Sequence, residues 1–164
     1  VLSNMGLHAY AKKNNMRIEC SNVGDRYVLE MMLNKGYILG GEQSGHVIFL
    51  EYASTGDGEL TALQFMSILK ASGTKCSEIA AEVVPWPQVM INVKVPNDKK
   101  ATLQQLPEVK TAIDEAGAQL GDHGRILVRP SGTEALVRVM VEGTDSAQVD
   151  TLEKKVAKVI ESVV

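Results

Sequence analysis

A chain of 164 residues has room for one ordinary domain or two small ones, and its 45% apolar content is that of a globular protein with a packed core. Aromatic residues make up 4%, which argues against surfaces that stack on bases or long glycans, and a net charge of −3 without a basic tail argues against broad nucleic-acid binding. Cys20 and Cys76 form no C-x-x-C or metal spacing and read as small core residues in a reducing cytosol; no apolar run is long enough to span a membrane, and no secretory signal is present.

In chain order, Val1-Leu2 reads as the end of a strand entering Ser3-Asn4, with no initiator Met, which predicts a piece of a longer protein. Residues 5–13 read as a short helix and 16–20 as a strand. Ser21 to Asp25 then turns into a helix reaching about Asn34, with Gly36 as its C-terminal stop. Tyr37 to Leu39 leads into a glycine-rich loop at 40–46, and 47–52 returns as a strand. This strand–helix alternation predicts an α/β layer. Asp57 is placed to cap a helix over 59–71 whose Leu60, Leu63, Phe65 or Met66, and Leu69 form one apolar face; a further short helix covers 77–82.

Pro85-Trp86-Pro87 breaks the chain, since neither proline donates to a ladder and each restricts its predecessor. The predicted domains are therefore 1–84 and 88–164. The second opens with a strand over 89–95, alternating Val89, Ile91, Val93 and Val95 with polar Asn92 and Lys94. A helix at 107–119, strands at 126–128 and 136–142, and a last helix with Val149, Leu152, Val156, Val159 and Val163 on one stripe complete it. That order predicts a small α+β unit with its helices on one face of an antiparallel sheet.

Two loops carry candidate chemistry. In Gly-Gly-Glu-Gln-Ser-Gly-His at 40–46, Glu42 can accept from two adjacent hydroxyls or pair with an ammonium. Ser44 can donate or accept, and His46 can act as a general base near neutral pH. The alternative is a glycine-rich turn with exposed side chains. In Arg-Pro-Ser-Gly-Thr-Glu at 129–134, Ser131 and Thr133 supply hydroxyls, Gly132 allows close backbone approach, and consecutive N–H groups form an anion nest. Arg129 entering the loop and Arg138 leaving it bring two guanidiniums to one dianion. The alternative there is a polar turn with solvated arginines. Together the loops suit a phosphosugar. Gly24-Asp25-Arg26 at a helix start is a further candidate for anion or substrate binding, the alternative being that Asp25 is an ordinary first-turn residue. Thr55-Gly56-Asp57-Gly58 offers only Asp57 and Glu59 to a cation, so Asp57 reads as a helix cap and no metal ligand is predicted. His8 and His123 read as structural.

With both loops in hand, the chain resembles the α-D-phosphohexomutases along essentially its whole length. The shared segments are Ser3 to Leu7, Val23-Gly24-Asp25-Arg26-Tyr27-Val28, Gly40 to His46, Thr55 to Gly58, and Arg129 to Glu134 continuing to Glu142. Gln43 and the Gly-Asp-Arg-Tyr-Val segment favour the glucosamine branch over the phosphomannomutase/phosphoglucomutase branch. The resemblance implies most of the third domain in 1–84 and the fourth in 88–164. It implies interconversion of glucosamine 6-phosphate and glucosamine 1-phosphate through a bisphosphate, in the cytoplasm. Glu42 and Ser44 would read the sugar, and His46 would lie at the position of the catalytic base. Arg129, Ser131, Gly132, Thr133 and Arg138 would hold the phosphate that is not transferred. The family's phosphoserine loop and Mg²⁺ loop are not in this sequence, so the resemblance assigns them to N-terminal domains 1 and 2 as partners and predicts no turnover by this chain alone. Ala135 stands where the family usually has proline. The rival readings are a phosphomannomutase/phosphoglucomutase and a phosphosugar-binding module without catalysis.

Overall fold

Asn4 accepts the Gly6 N–H through its side chain at 2.8 Å and so starts helix α1, Met5–Lys13. The computed structural model describes residues 2–164 and divides into two units, Val1–Pro85 and Trp86–Val164. Of the strand end predicted at Val1-Leu2, Val1 lies outside the described residues and Leu2 is in no strand.

In the first unit, α1 is tied to the far end of the segment by Tyr10, whose hydroxyl donates to Glu82 at 2.7 Å. The strand predicted at 16–20 does not form, because no neighbouring strand among the described residues offers it a ladder. The segment is held by side chains instead. Glu19 accepts from Arg17, Lys35 and Tyr37, the last at 2.8 Å. The Lys35 and Tyr37 donors lower its carboxyl to about 2.

Helix α2, Asp25–Lys35, ends as predicted at Gly36, whose N–H returns to the Met32 carbonyl. Strands β1, Leu39–Gly41, and β2, Val47–Phe49, pair antiparallel with Leu39 opposite Phe49 and Gly41 opposite Val47. The strand expected over 47–52 stops at Phe49 because the Tyr52 and Ala53 N–H groups both turn back to its carbonyl. Helix α3, Gly58–Ser72, begins at Asp57, which accepts the Leu60 N–H at 2.9 Å, and α4 spans Cys76–Ala81.

The apolar face predicted for α3 is not a core face: Leu63 is 63% and Met66 53% exposed. Both cysteines are exposed as well, against the expectation of core positions. The physical reason is shared. A hairpin of two three-residue strands is too small to cover the helices, and Ala11, Met32 and Ile48 are the buried apolar residues of this unit among those described.

The second unit is built from β3, Gln88–Lys94; α5, Pro107–Leu120; β4, Gly124–Pro130; β5, Leu136–Gly143; and α6, Ser146–Val163. The sheet order is β3-β5-β4, antiparallel throughout. Strand β4 is longer than the sequence suggested, and its terminal Pro130 is tolerated on an edge strand. Alternation along β5 sends Val137, Val139 and Val141 inward, where they meet Val93 and Val128. Helices α5 and α6 close over that face with Val109, Ala112, Ala116 and Leu120 from one and Val149, Leu152, Val156 and Ile160 from the other. Val159 and Val163 sit partly buried at its margin. Asp145 caps α6 by accepting from Ala147 and Gln148. The mixed α/β class and the helices-on-one-face arrangement are those the sequence predicted.

The opposite face of this sheet mixes charged and apolar residues. It carries Arg125, Leu127 and Arg129 of β4 against Glu142, Met140 and Arg138 of β5. Glu142 is fully buried and its carboxylate lies 2.9 Å from the Arg125 guanidinium. Glu153 on α6 is also buried, and that burial pushes its carboxyl up.

Candidate functional site

The 40–46 loop leaves β1 and re-enters β2 through a tight internal closure. The Glu42 N–H donates to the His46 carbonyl at 2.9 Å and the Gly45 N–H to the Glu42 carbonyl at 3.1 Å. Gly45 takes a φ of 97°, a left-handed conformation that residues with a Cβ adopt at a cost. Glu42 is thereby half-buried and aimed back at the start of α2, where its Oε1 accepts the Gly24 N–H at 2.7 Å. Two candidates 18 positions apart in the chain are thus joined directly. Gly24 itself has a φ of 128°, again a glycine conformation. Its neighbour Asp25 is exposed and accepts the Arg26 N–H at 2.8 Å.

A polar chain continues from Glu42. The Ser44 hydroxyl lies 3.3 Å from Glu42 Oε2 and 3.0 Å from His46 Nδ1. A serine has one proton to donate and a carboxylate can only accept. With the Ser44 proton directed at Glu42, the Ser44 oxygen accepts from Nδ1–H, and His46 Nε2 keeps its lone pair outward. A Ser44 proton directed at Nδ1 instead gives the opposite tautomer, with the proton on Nε2. Gly56, to which the sequence assigned no role of its own, backs the ring: a Cβ there would lie 3.1 Å from His46 Cδ2. Nothing in a Thr-Gly-Asp-Gly run announces that role before the fold is known.

The 129–134 turn connects β4 to β5. The Ser131 N–H donates to the Leu136 carbonyl at 3.0 Å, and the buried Ser131 Oγ accepts the Glu134 N–H at 3.2 Å. The expected nest of consecutive N–H groups is therefore smaller than predicted. Ser131 and Glu134 use theirs inside the turn, while those of the exposed Gly132 and Thr133 have no acceptor among the described residues. Arg129 and Arg138 are paired directly across β4 and β5. Arg138 reaches Glu134 at 3.4 Å, and Arg129 makes no ion pair among the described residues. Like charges placed opposite each other on a sheet are destabilising, so an anion at this end of the sheet would offset the repulsion.

Lys100 is the residue that sequence reasoning missed. Its ammonium donates to the Ser131 carbonyl at 2.8 Å and to the Glu134 carbonyl at 2.7 Å. In the sequence it belongs to a polar Asn-Asp-Lys-Lys turn that reads as solvated surface. Only the extension of the β3–β5 ladder, the Val95 N–H to the Ala135 carbonyl at 3.0 Å, brings that turn beside the loop.

A divalent cation finds no ligand set here. Asp57 is occupied as the α3 cap, and no three His, Cys, Asp or Glu side chains cluster among the described residues.

Comparisons with known proteins cover the same two units. Residues 1–85 match the phosphoglucomutase/phosphomannomutase alpha/beta/alpha domain III, and residues 90–159 match the phosphoglucomutase/phosphomannomutase C-terminal domain. The phosphoglucosamine mutase of Ruminiclostridium cellulolyticum is 52% identical over 161 residues, which is 98% of this chain and 36% of that protein. The phosphoglucosamine mutase of Caldicellulosiruptor bescii is 48% identical over 162 residues, 99% of this chain and 36% of its own length. This chain therefore spans about 36% of the curated relatives it matches. Among solved structures, Aspergillus fumigatus N-acetylphosphoglucosamine mutase aligns with a TM-score of 0.81 at 22% identity, over 99% of this chain and 37% of that one. Its complex with GlcNAc-6P and magnesium aligns with a TM-score of 0.75 at 20% identity, over 98% and 40%. At those identities the likeness shows the fold.

Proposed function

Since the chain belongs to the phosphoglucomutase/phosphomannomutase family, we propose that it is the substrate-binding C-terminal part of a phosphoglucosamine mutase. The whole enzyme interconverts glucosamine 6-phosphate and glucosamine 1-phosphate through a bisphosphate, in the cytoplasm. The observation that carries this reading is the Gly24–Glu42–Ser44–His46 chain, set in a sequence 52% identical to a phosphoglucosamine mutase.

Each residue has a distinct task in this reading. Glu42 is oriented by the Gly24 N–H and retains lone pairs for the sugar, while Asp25 lies at the same helix start. With its proton directed at Glu42, Ser44 holds His46 in the tautomer whose Nε2 can take a proton from a sugar hydroxyl as it attacks the phosphoryl group, and return it in the reverse step. Arg129 and Arg138 supply charge to the phosphate that is not transferred, with the Gly132 and Thr133 N–H groups and the Ser131 and Thr133 hydroxyls completing its shell. The phosphoserine and Mg²⁺ belong to N-terminal domains of the same enzyme. Among the described residues of this chain no three His, Cys, Asp or Glu side chains cluster to hold that ion.

Two measurements test the proposal. Purified 1–164, supplied with Mg²⁺ and a bisphosphate activator, is expected to show no mutase turnover; turnover would place the phosphoryl-transfer groups within this chain. Titration of the same chain with glucosamine 6-phosphate is expected to move the amide resonances of 42–46 and 131–134. Shifts elsewhere, with those two loops silent, would overturn the site.

A further inference from the structure

We propose that Lys100 is a positioning residue that sets the 131–134 turn in its anion-binding conformation before any phosphate arrives. The inference rests on the reading of that turn as a phosphate site.

The argument starts from the peptide plane. In a trans peptide the C=O of one residue and the N–H of the next point in opposite directions. Lys100 holds the Ser131 carbonyl at 2.8 Å, so the Gly132 N–H on the same plane is directed away from the ammonium, to the outer side of the turn. The second bond, to the Glu134 carbonyl at 2.7 Å, pins the other end of the same four residues. Gly132 is the residue between these anchors with the widest choice of backbone conformation, and it has open space around its Cα. Without the clasp, the plane between Ser131 and Gly132 can turn over and present a carbonyl oxygen to the ligand instead of an N–H.

The remaining contacts do not duplicate this restraint. The Ser131 N–H to Leu136 bond and the Ser131 Oγ to Glu134 N–H bond fix the neck of the turn. Neither involves the Ser131–Gly132 peptide plane. Lys100 is half-buried and reaches the turn from the segment after β3, on which Lys99 binds the Val164 carbonyl at 3.2 Å. Its charge also offsets the two carbonyl dipoles that would repel an approaching anion.

The test uses ¹⁵N-labelled 1–164 titrated with inorganic phosphate, with Lys100→Met and Lys100→Arg as variants. In the native chain the Gly132 and Thr133 amides should shift saturably. Lys100→Met should weaken the apparent phosphate affinity about tenfold and lower the heteronuclear NOE of 132–134 in the phosphate-free protein, with the β3–β5 resonances unmoved. Lys100→Arg, which keeps charge and donors, should recover most of both effects. Unchanged affinity in Lys100→Met would overturn the proposal. So would weaker affinity with unaltered mobility at 132–134, since Lys100 would then act as a charge and not as a clasp. No saturable shift in the native chain would instead contradict the phosphate reading on which the proposal rests.

Discussion

Glu42 has its orientation fixed by the protein alone, since the Gly24 N–H binds one of its oxygens at 2.7 Å. On the proposed function, a carboxylate beside the sugar's 2-position would favour an ammonium over a hydroxyl. In an active enzyme carrying this chain, Glu42→Gln should therefore lower kcat/KM for glucosamine phosphate more than for glucose phosphate. Specificity is a ratio of transition-state stabilities, so parallel kinetics on the two substrates give the deciding quantity. Equal losses would mean that Glu42 reads hydroxyls common to both sugars. At the same scale, Arg125→Met leaves the fully buried Glu142 carboxylate without its guanidinium. Breaking such a pair costs about 3 kcal/mol, and a guanidinium-chloride unfolding curve for the second unit should register it. Glu42, Ser44, His46 and both arginines stand out in the sequence as candidates because their chemical types are distinctive. Lys100, Gly56 and the Arg125–Glu142 pair do not. Each acts through a partner distant in the chain, and a lysine in a polar turn or a glycine near a helix start looks the same whether or not that partner exists.

Among the elements, helices were read more faithfully than strands. Caps such as Asn4 and Asp57 and the stop at Gly36 act locally, so their residue types announce the helix ends. A strand exists only where a second strand meets it, which is why the apolar pattern at 16–20 was misleading and the one at 47–52 gave only β2. The 16–20 segment depends on Glu19, whose carboxyl the Lys35 and Tyr37 hydrogen bonds lower from an ordinary 4.5 to about 2. A folded-state value below the unfolded one means the contribution is fully present above about 4.5 and disappears as pH falls toward about 2. Acidification through that window should release the segment from α2. The Tyr37 ring resonances should follow that release, and Glu19→Gln should abolish their pH dependence across the window. A Tyr37 signal insensitive to pH in the native chain would show that Glu19 does not hold the segment.

At the scale of the whole molecule, the two units differ in how much apolar surface each hides. The second closes a continuous core of valines and leucines between sheet and helices, whereas the first leaves Leu33, Ile38, Leu39, Leu63 and Met66 exposed. Native-state hydrogen exchange should therefore show its slowest amides in β3, β5 and α6, with exchange in 2–85 faster by at least about a hundredfold. Equal protection in both units would contradict that division of stability. The sequence did not foretell the exposed face of α3, because helical spacing reports that a face is apolar and not whether anything lies against it. The proposed function makes this chain the substrate-reading part of a glucosamine-phosphate mutase. Its most direct test is a chimaera in which 1–164 replaces the matching part of the Ruminiclostridium cellulolyticum phosphoglucosamine mutase. Turnover should be measured with glucosamine, glucose and mannose 6-phosphates. Mutase activity within about tenfold of the parent enzyme is expected, with a clear preference for the glucosamine substrate. A folded chimaera that prefers glucose or mannose phosphate, or that turns over none of the three, would contradict it.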